Sequence, residues 1–164
     1  MLRFPEREEI RLQSSPLVEV ICQVRFPAIL RIANEQPVEF QERIRDRLPQ
    51  LEVGQGMIVH AEPLGMVQPS AKPEPPIFRF KSADNQTVVS LSLNFYALST
   101  TSYSHWRDFL ELLQLVNQAA SDIYDLPYAV RVGLRYINLL TLKNTKTSEV
   151  MGLLDVIRPE LTVL

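Results

Sequence analysis

Cysteine is nearly absent from this chain: Cys22 is the single one among 164 residues. One thiol cannot close an internal disulfide, which excludes a disulfide-stapled secreted scaffold. Histidine is almost as rare. His60 and His105 form no C-x-x-C, H-x-x-x-H or H-E-x-x-H spacing with Cys22 or with each other, so no zinc motif is present. Glycine is scarce, five residues against twelve prolines. That argues against glycine-rich phosphate loops and for stiff connections. Gly54-Gln55-Gly56 lacks the third glycine and the following helix of a dinucleotide fingerprint, and reads as a turn. No G-x-S-x-G nucleophile elbow occurs. Lysine and arginine total 17 against 19 acidic residues, a net charge of −2, so nothing pulls the whole molecule toward nucleic acid or anionic lipid. No apolar run approaches the roughly 18 residues of a membrane span. Met1 to Ile10 is charged and lacks the apolar centre of a signal peptide. The expectations are a cytoplasmic protein with no cofactor, no metal, no catalytic residue and no membrane partner.

What is present is ordinary globular composition, 46% hydrophobic and 22% charged. The length suits one domain. Residues 1–15 are polar and read as an arm, residues 16–142 as a single α+β domain, and residues 143–164 as a linker and the start of a C-terminal helical region.

Within the domain, Val18, Val20, Cys22, Val24 and Phe26 alternate with polar residues, which predicts a strand over 17–26 ending at Pro27. On its apolar face Cys22 is expected to be a buried structural thiol. Pro37 suits the first turn of a helix over about 37–48, with Val38, Gln41, Ile44 and Leu48 on one stripe and Phe40 beside it. Met57–Leu64 is expected to be a second strand, and the proline-rich 69–76 a loop. Ile77–Lys81 resumes as a strand and Ala83–Gln86 turns the chain. Thr87–Leu98 reads as one strand with Val89, Leu91, Leu93 and Phe95 inward. Trp106, Phe109, Leu110, Leu113, Val116, Ala120 and Ile123 give a helical stripe over about 104–124, with Thr100, Thr101, Ser102 and Ser104 as N-cap candidates. Tyr128–Leu142 is a last strand, its Val130, Val132, Leu134 and Tyr136 assigned to the core. Ser148–Ile157 looks like another helix start, cut by Pro159.

The predicted order is β-α-β-β-β-α-β: a mainly antiparallel twisted sheet of about five strands, two helices on one face, and a C-terminal helical tail, an elaborated ferredoxin-like sandwich.

The segments PLVEVICQVRF at 16–26, FRFKSADNQTVVSLSLNFYALST at 78–100, the Tyr103-x-x-Trp106-x-x-Phe109 helix start and RVGLRYIN at 131–138 together resemble a bacterial family known for its sporadic distribution. The resemblance covers nearly the whole chain. It implies no established activity, cofactor or catalytic residue. Its members usually continue past the region of Pro159, so the chain reads as an N-terminal part or a short member.

The sheet face opposite the helices is the unusual one. Alternation assigns to it Glu19, Ile21, Gln23, Arg25, Arg79, Lys81, Ser90, Ser92, Asn94, Tyr96, Arg131, Gly133, Arg135, Ile137 and Leu139. Arginine presents a fork of donors suited to carboxylate or phosphate, and Gly133 between two arginines admits close approach. The aliphatic Ile21, Ile137 and Leu139 favour a covered face over a wet one. Contact residues are therefore expected at Arg25, Arg79, Ser92, Asn94, Arg131 and Arg135. Three readings stay open. The first is a non-enzymatic interaction or assembly module, homo-oligomeric or covered by a C-terminal domain. The second is nucleic-acid binding, and the third an enzyme or binder for an anionic small molecule.

Overall fold

Alternation of β-branched and polar residues makes Leu17–Arg25 the first strand, β1, in which Val20 and Cys22 are buried. Pro27 lacks a donor and stops it, and the chain turns into a short helix, α1, Leu30–Asn34, with Ile32 inward. Pro37 then precedes α2, Val38–Ile44, which buries Phe40 and Ile44. The computed structural model describes residues 15–55 and 75–141. Further along lie β2, Gln50–Gln55, and β3, Pro76–Lys81. They are followed by β4, Thr87–Ser92, β5, Phe95–Thr100, α3, Trp106–Tyr124, and β6, Arg131–Asn138.

The fold is α+β, with three helices among the described residues and a six-stranded antiparallel sheet ordered β2-β3-β4-β5-β1-β6. β2 to β5 form a meander, and β1 pairs with β5 through Val20↔Thr100 to Arg25↔Phe95. The Val130 N–H donates to the Arg25 carbonyl at 2.7 Å where the chain enters β6. β5, α3 and β6 thus form a crossover with β1 lying between the two strands.

Two compact units make up the chain. The larger is Glu19–Tyr136. Of the smaller, Met1–Val18 with Ile137–Leu164, the described part is the ends of β1 and β6 and their flanks. There the Leu139 N–H donates to the Pro16 carbonyl at 2.7 Å.

Residues directly opposite in an antiparallel ladder share a face. The ladder therefore aligns Phe80 with Val89, Val89 with Leu98 and Leu98 with Cys22; a second row runs Phe78, Leu91, Tyr96 and Val24. These residues, all buried except the half-buried Val24, form the core side of the sheet. The Phe40 ring of α2 stands 5.3 Å from Phe80 and 6.3 Å from Tyr124 of α3. Val116, Ala119 and Ala120 bury the middle of α3. Small residues there let the helix approach closely, and the Tyr96 hydroxyl donates to Asn117 Oδ1 at 2.7 Å, tying α3 to β5.

Several expectations are corrected. Thr87–Leu98 is not one strand: Leu93 and Asn94 turn the chain between β4 and β5, and Ser92 faces Phe95. No Gly or Pro marks this turn, and the alternation runs through it, so the phase inverts without a signal. Tyr96 consequently joins the core, and Phe95 lies on the same face as Arg25. β2 spans Gln50–Gln55, directly after α2; the strand expected at Met57–Leu64 lies outside the described residues, as does the helix start at Ser148–Ile157. α2 ends at Ile44 and buries Phe40 and Ile44, Leu48 being buried just beyond it, while Val38 is exposed. The N-cap of α3 is His105, without a side-chain cap bond. Most consequentially, Val130, Val132, Leu134 and Tyr136 are not core. They are 63%, 64%, 46% and 44% exposed, β6 being at the edge of the sheet among the described strands.

Candidate interaction surface

The sheet face away from the core is built from the alternate residues of the same ladders. One row crosses Glu52, Arg79, Ser90, Ala97 and Gln23, and the next Gln50, Lys81, Val88, Ser99 and Ile21. Small residues on β4 and β5 make its middle low, and charges stand at its β2–β3 end. There Glu52 takes both cations: its carboxylate lies 3.8 Å from Arg79 Nη1 and accepts a hydrogen bond from Lys81 Nζ. The Lys81 contact, reinforced by the charge of Arg79, holds the Glu52 carboxyl below its ordinary range.

The six expected contact residues do not gather. Arg79 sits on β3 and Arg25 on β1, with β4 and β5 between them, so their backbones are about 14 Å apart at ~4.8 Å per strand. Ser92 is buried, and its hydroxyl donates to the Pro76 carbonyl at 3.0 Å, an internal tie between β4 and β3. Asn94 belongs to the β4–β5 turn, where its carbonyl accepts the Phe26 N–H at 3.0 Å. Arg25, Arg131 and Arg135 are exposed on the adjoining strands β1 and β6, but Arg131 and Arg135 stand about 13 Å apart at ~3.3 Å per residue, and Arg25 lies beside Val130 at the start of β6.

Among the hollows of the described residues, two lie in the larger unit. One, of about 110 Å³, opens at the start of α3 and is lined by Thr87, Thr100, Ser102, Ser104, His105 and Asp108 among others. Several of its polar groups are engaged with each other. The Thr87 and Thr100 hydroxyls are 3.0 Å apart, Thr100 Oγ1 accepts the Ser102 N–H at 3.1 Å, and Ser104 donates to Asp108 at 2.6 Å. The other, of about 150 Å³, includes Arg31, Glu35, Glu39 and Tyr124. Arg31 is used structurally there: its guanidinium donates to the Ile123 carbonyl and stands 5.1 Å over the Tyr124 ring. Among the described residues no group of three or more His, Cys, Asp and Glu side chains could hold a metal ion. Cys22 is buried, which pushes its thiol up, away from the reactive thiolate.

Large apolar side chains are exposed at both ends of the sheet, Leu51 and Val53 on β2 and, more densely, along β6. Four large apolar side chains, Val130, Val132, Leu134 and Tyr136, stand exposed within seven residues of chain. Tyr136 meets Tyr103 edge-on at 5.8 Å, and Tyr103 in turn meets Phe109. Trp106, 42% exposed, extends the apolar surface at the start of α3. Sequence reasoning missed this surface because alternation identifies an apolar face without saying whether anything covers it.

Compared with family models, curated proteins and solved structures, the chain matches none of them. No helix among the described residues is long and apolar enough to cross a membrane.

Proposed function

We propose that this domain is a non-enzymatic interaction module whose contact surface is the edge strand β6 and the aromatic residues beside it. One observation carries this reading: Val130, Val132, Leu134 and Tyr136 are 44–64% exposed on an edge strand of an otherwise well-packed sheet. Edge strands present unpaired main-chain donors and acceptors. Proteins that keep such edges inert usually blunt them with inward charges, proline or bulges. Apolar side chains on an edge instead favour strand addition by a partner, in which the main chain supplies affinity and alternate side chains supply specificity.

The same reading accommodates the finer expectations. The β5–α3–β6 crossover around β1 supports an elaborated ferredoxin-like description. A single buried cysteine suits the cytoplasm. Membership of the sporadically distributed bacterial family rests on the four segments quoted above.

The test is a pair of lysine substitutions, Val132→Lys and Leu134→Lys, in the full chain. Both side chains are exposed, so melting temperature should stay close to that of the parent protein. Self-association by light scattering and capture of partners from a host extract should both drop. If neither association nor capture is seen in the parent protein, the reading fails.

A further inference from the structure

We infer that β6 pairs with β6 of a second copy of this chain, antiparallel, about a two-fold axis at Leu134. The inference rests on the reading of β6 as the contact surface and names the partner. A two-fold axis perpendicular to a sheet places residue i opposite residue j at constant i + j, with opposed side chains on one face. Three such registers keep most of Arg131–Asn138 in the ladder. Centred on Gly133, the pairing sets Arg131 opposite Arg135 twice over. Centred on Arg135, it sets that guanidinium against its own copy. Both oppose like charges directly, which is unfavourable.

Centred on Leu134, no arginine opposes another. Val132 then faces Tyr136 of the copy, Leu134 faces itself, and Tyr136 faces Val132: the exposed apolar residues of β6 meet in aromatic–β-branched and aliphatic pairs. On the strand's other side, Arg131 faces Ile137 and Arg135 faces Gly133. Over Gly133 the guanidinium of Arg131 already lies 3.6 Å from where a Cβ would stand, so in this register the copy's Arg135 meets Arg131 on the diagonal rather than from directly opposite. About its fourth residue the sequence RVGLRYIN thus sets apolar residues opposite apolar ones and no arginine directly opposite another. The copies would join two sheets into one continuous sheet and remove both β6 edges at once.

Sedimentation equilibrium of the full chain over a concentration series should show a reversible dimer. Leu134→Lys, which sets two ammonium groups opposite each other, should weaken it about tenfold or more without altering the melting temperature. The register is read by cysteine substitutions. Cys22 is buried, so background oxidation is low. Under mild oxidation Leu134→Cys should give a disulfide-linked dimer, because opposed residues lie within disulfide reach. Gly133→Cys and Arg135→Cys should each link to themselves far less, and an equimolar mixture of Val132→Cys with Tyr136→Cys should give the mixed dimer. A parent protein that stays monomeric, or a Leu134→Lys dimer as tight as the parent, overturns the inference. Self-linking strongest at Gly133→Cys or Arg135→Cys overturns the register. If the parent is monomeric but β6-dependent capture of another protein persists, the second-copy inference alone falls; if both are absent, the wider reading falls with it.

Discussion

Two buried tyrosines favour their neutral form in the fold. Tyr96 is 1% exposed, with its hydroxyl donating to Asn117 Oδ1. Burial, with a smaller contribution from Cys22, pushes its ionisation up to about 12. Tyr124 is likewise pushed up to about 12, chiefly by burial; Arg31 opposes the shift, and Glu39 and Glu35 add to it. Tyrosine in an unfolded chain ionises near 10. The fold thus favours the neutral phenol, and this stabilisation is complete below about pH 10. It is lost as pH rises from there through 12, because the unfolded chain releases its protons first. The expected outcome is an alkaline unfolding transition by circular dichroism over that window, with phenolate absorbance from these two residues appearing only as the protein unfolds. In a Tyr96→Phe/Tyr124→Phe double variant, stability should fall less steeply between pH 10 and 12. An unchanged slope would assign the transition to other groups.

At the scale of elements, α3 ends at Asp125, whose φ of 48° lies in the left-handed region. Aspartate tolerates this conformation but glycine is relieved of it. Asp125→Gly should therefore leave stability unchanged or raise it by up to about 1 kcal/mol in chemical denaturation, despite the greater freedom of the unfolded glycine chain. A loss of more than that would mean the carboxylate has an unappreciated role. The body of α3 was legible in sequence, because Phe109, Val116 and Ala120 recur at helical spacing and fill one side of the sheet. β1 and the turn between β3 and β4 were legible for similar reasons: strict alternation in one case and Asp84-Asn85 in the other. In that turn Asp84 Oδ1 accepts the Gln86 N–H, and Asn85 takes φ 59°. The β4–β5 turn was not legible, since Leu93-Asn94 continues the apolar alternation. That one error moved Tyr96 to the wrong face. The contact residues were less legible still. Alternation placed Arg79 and Arg25 correctly on one face, but strand order set them three strands apart. The apolar alternation of β6 was visible in sequence, but the exposure of Val130, Val132, Leu134 and Tyr136 was not, because alternation does not say what covers a face.

For the larger unit as a whole, the distribution of cations decides between protein and nucleic-acid partners. Binding to a phosphate backbone needs several lysines or arginines acting together, and its affinity falls steeply with salt. Here many cations are spoken for locally. Arg79 and Lys81 share Glu52, Arg45 pairs with Glu42, and Arg43 and Arg47 of the α2 region reach Asp122 and Glu111 of α3. These exposed pairs contribute little stability, but each places a carboxylate beside the cation and cancels its field at a distance. Arg25, Arg131 and Arg135 are exposed but spread along β1 and β6, with Phe95 opposite Arg25 and Tyr136 beside Tyr103 as nearby aromatic residues. Sequence-tolerant recognition of single strands calls for both a continuous cationic groove and successive stacking platforms. Fluorescence anisotropy with single-stranded RNA and DNA at low salt should therefore show no binding at micromolar protein. A salt-sensitive signal that disappears in Arg131→Ala/Arg135→Ala would reverse this. The exposed aromatics and arginines of β6 would then be a base-stacking platform rather than a protein contact. Leu134→Lys, which adds a cation, would strengthen such binding while it weakens the protein contact, so one variant reports on both readings with opposite signs.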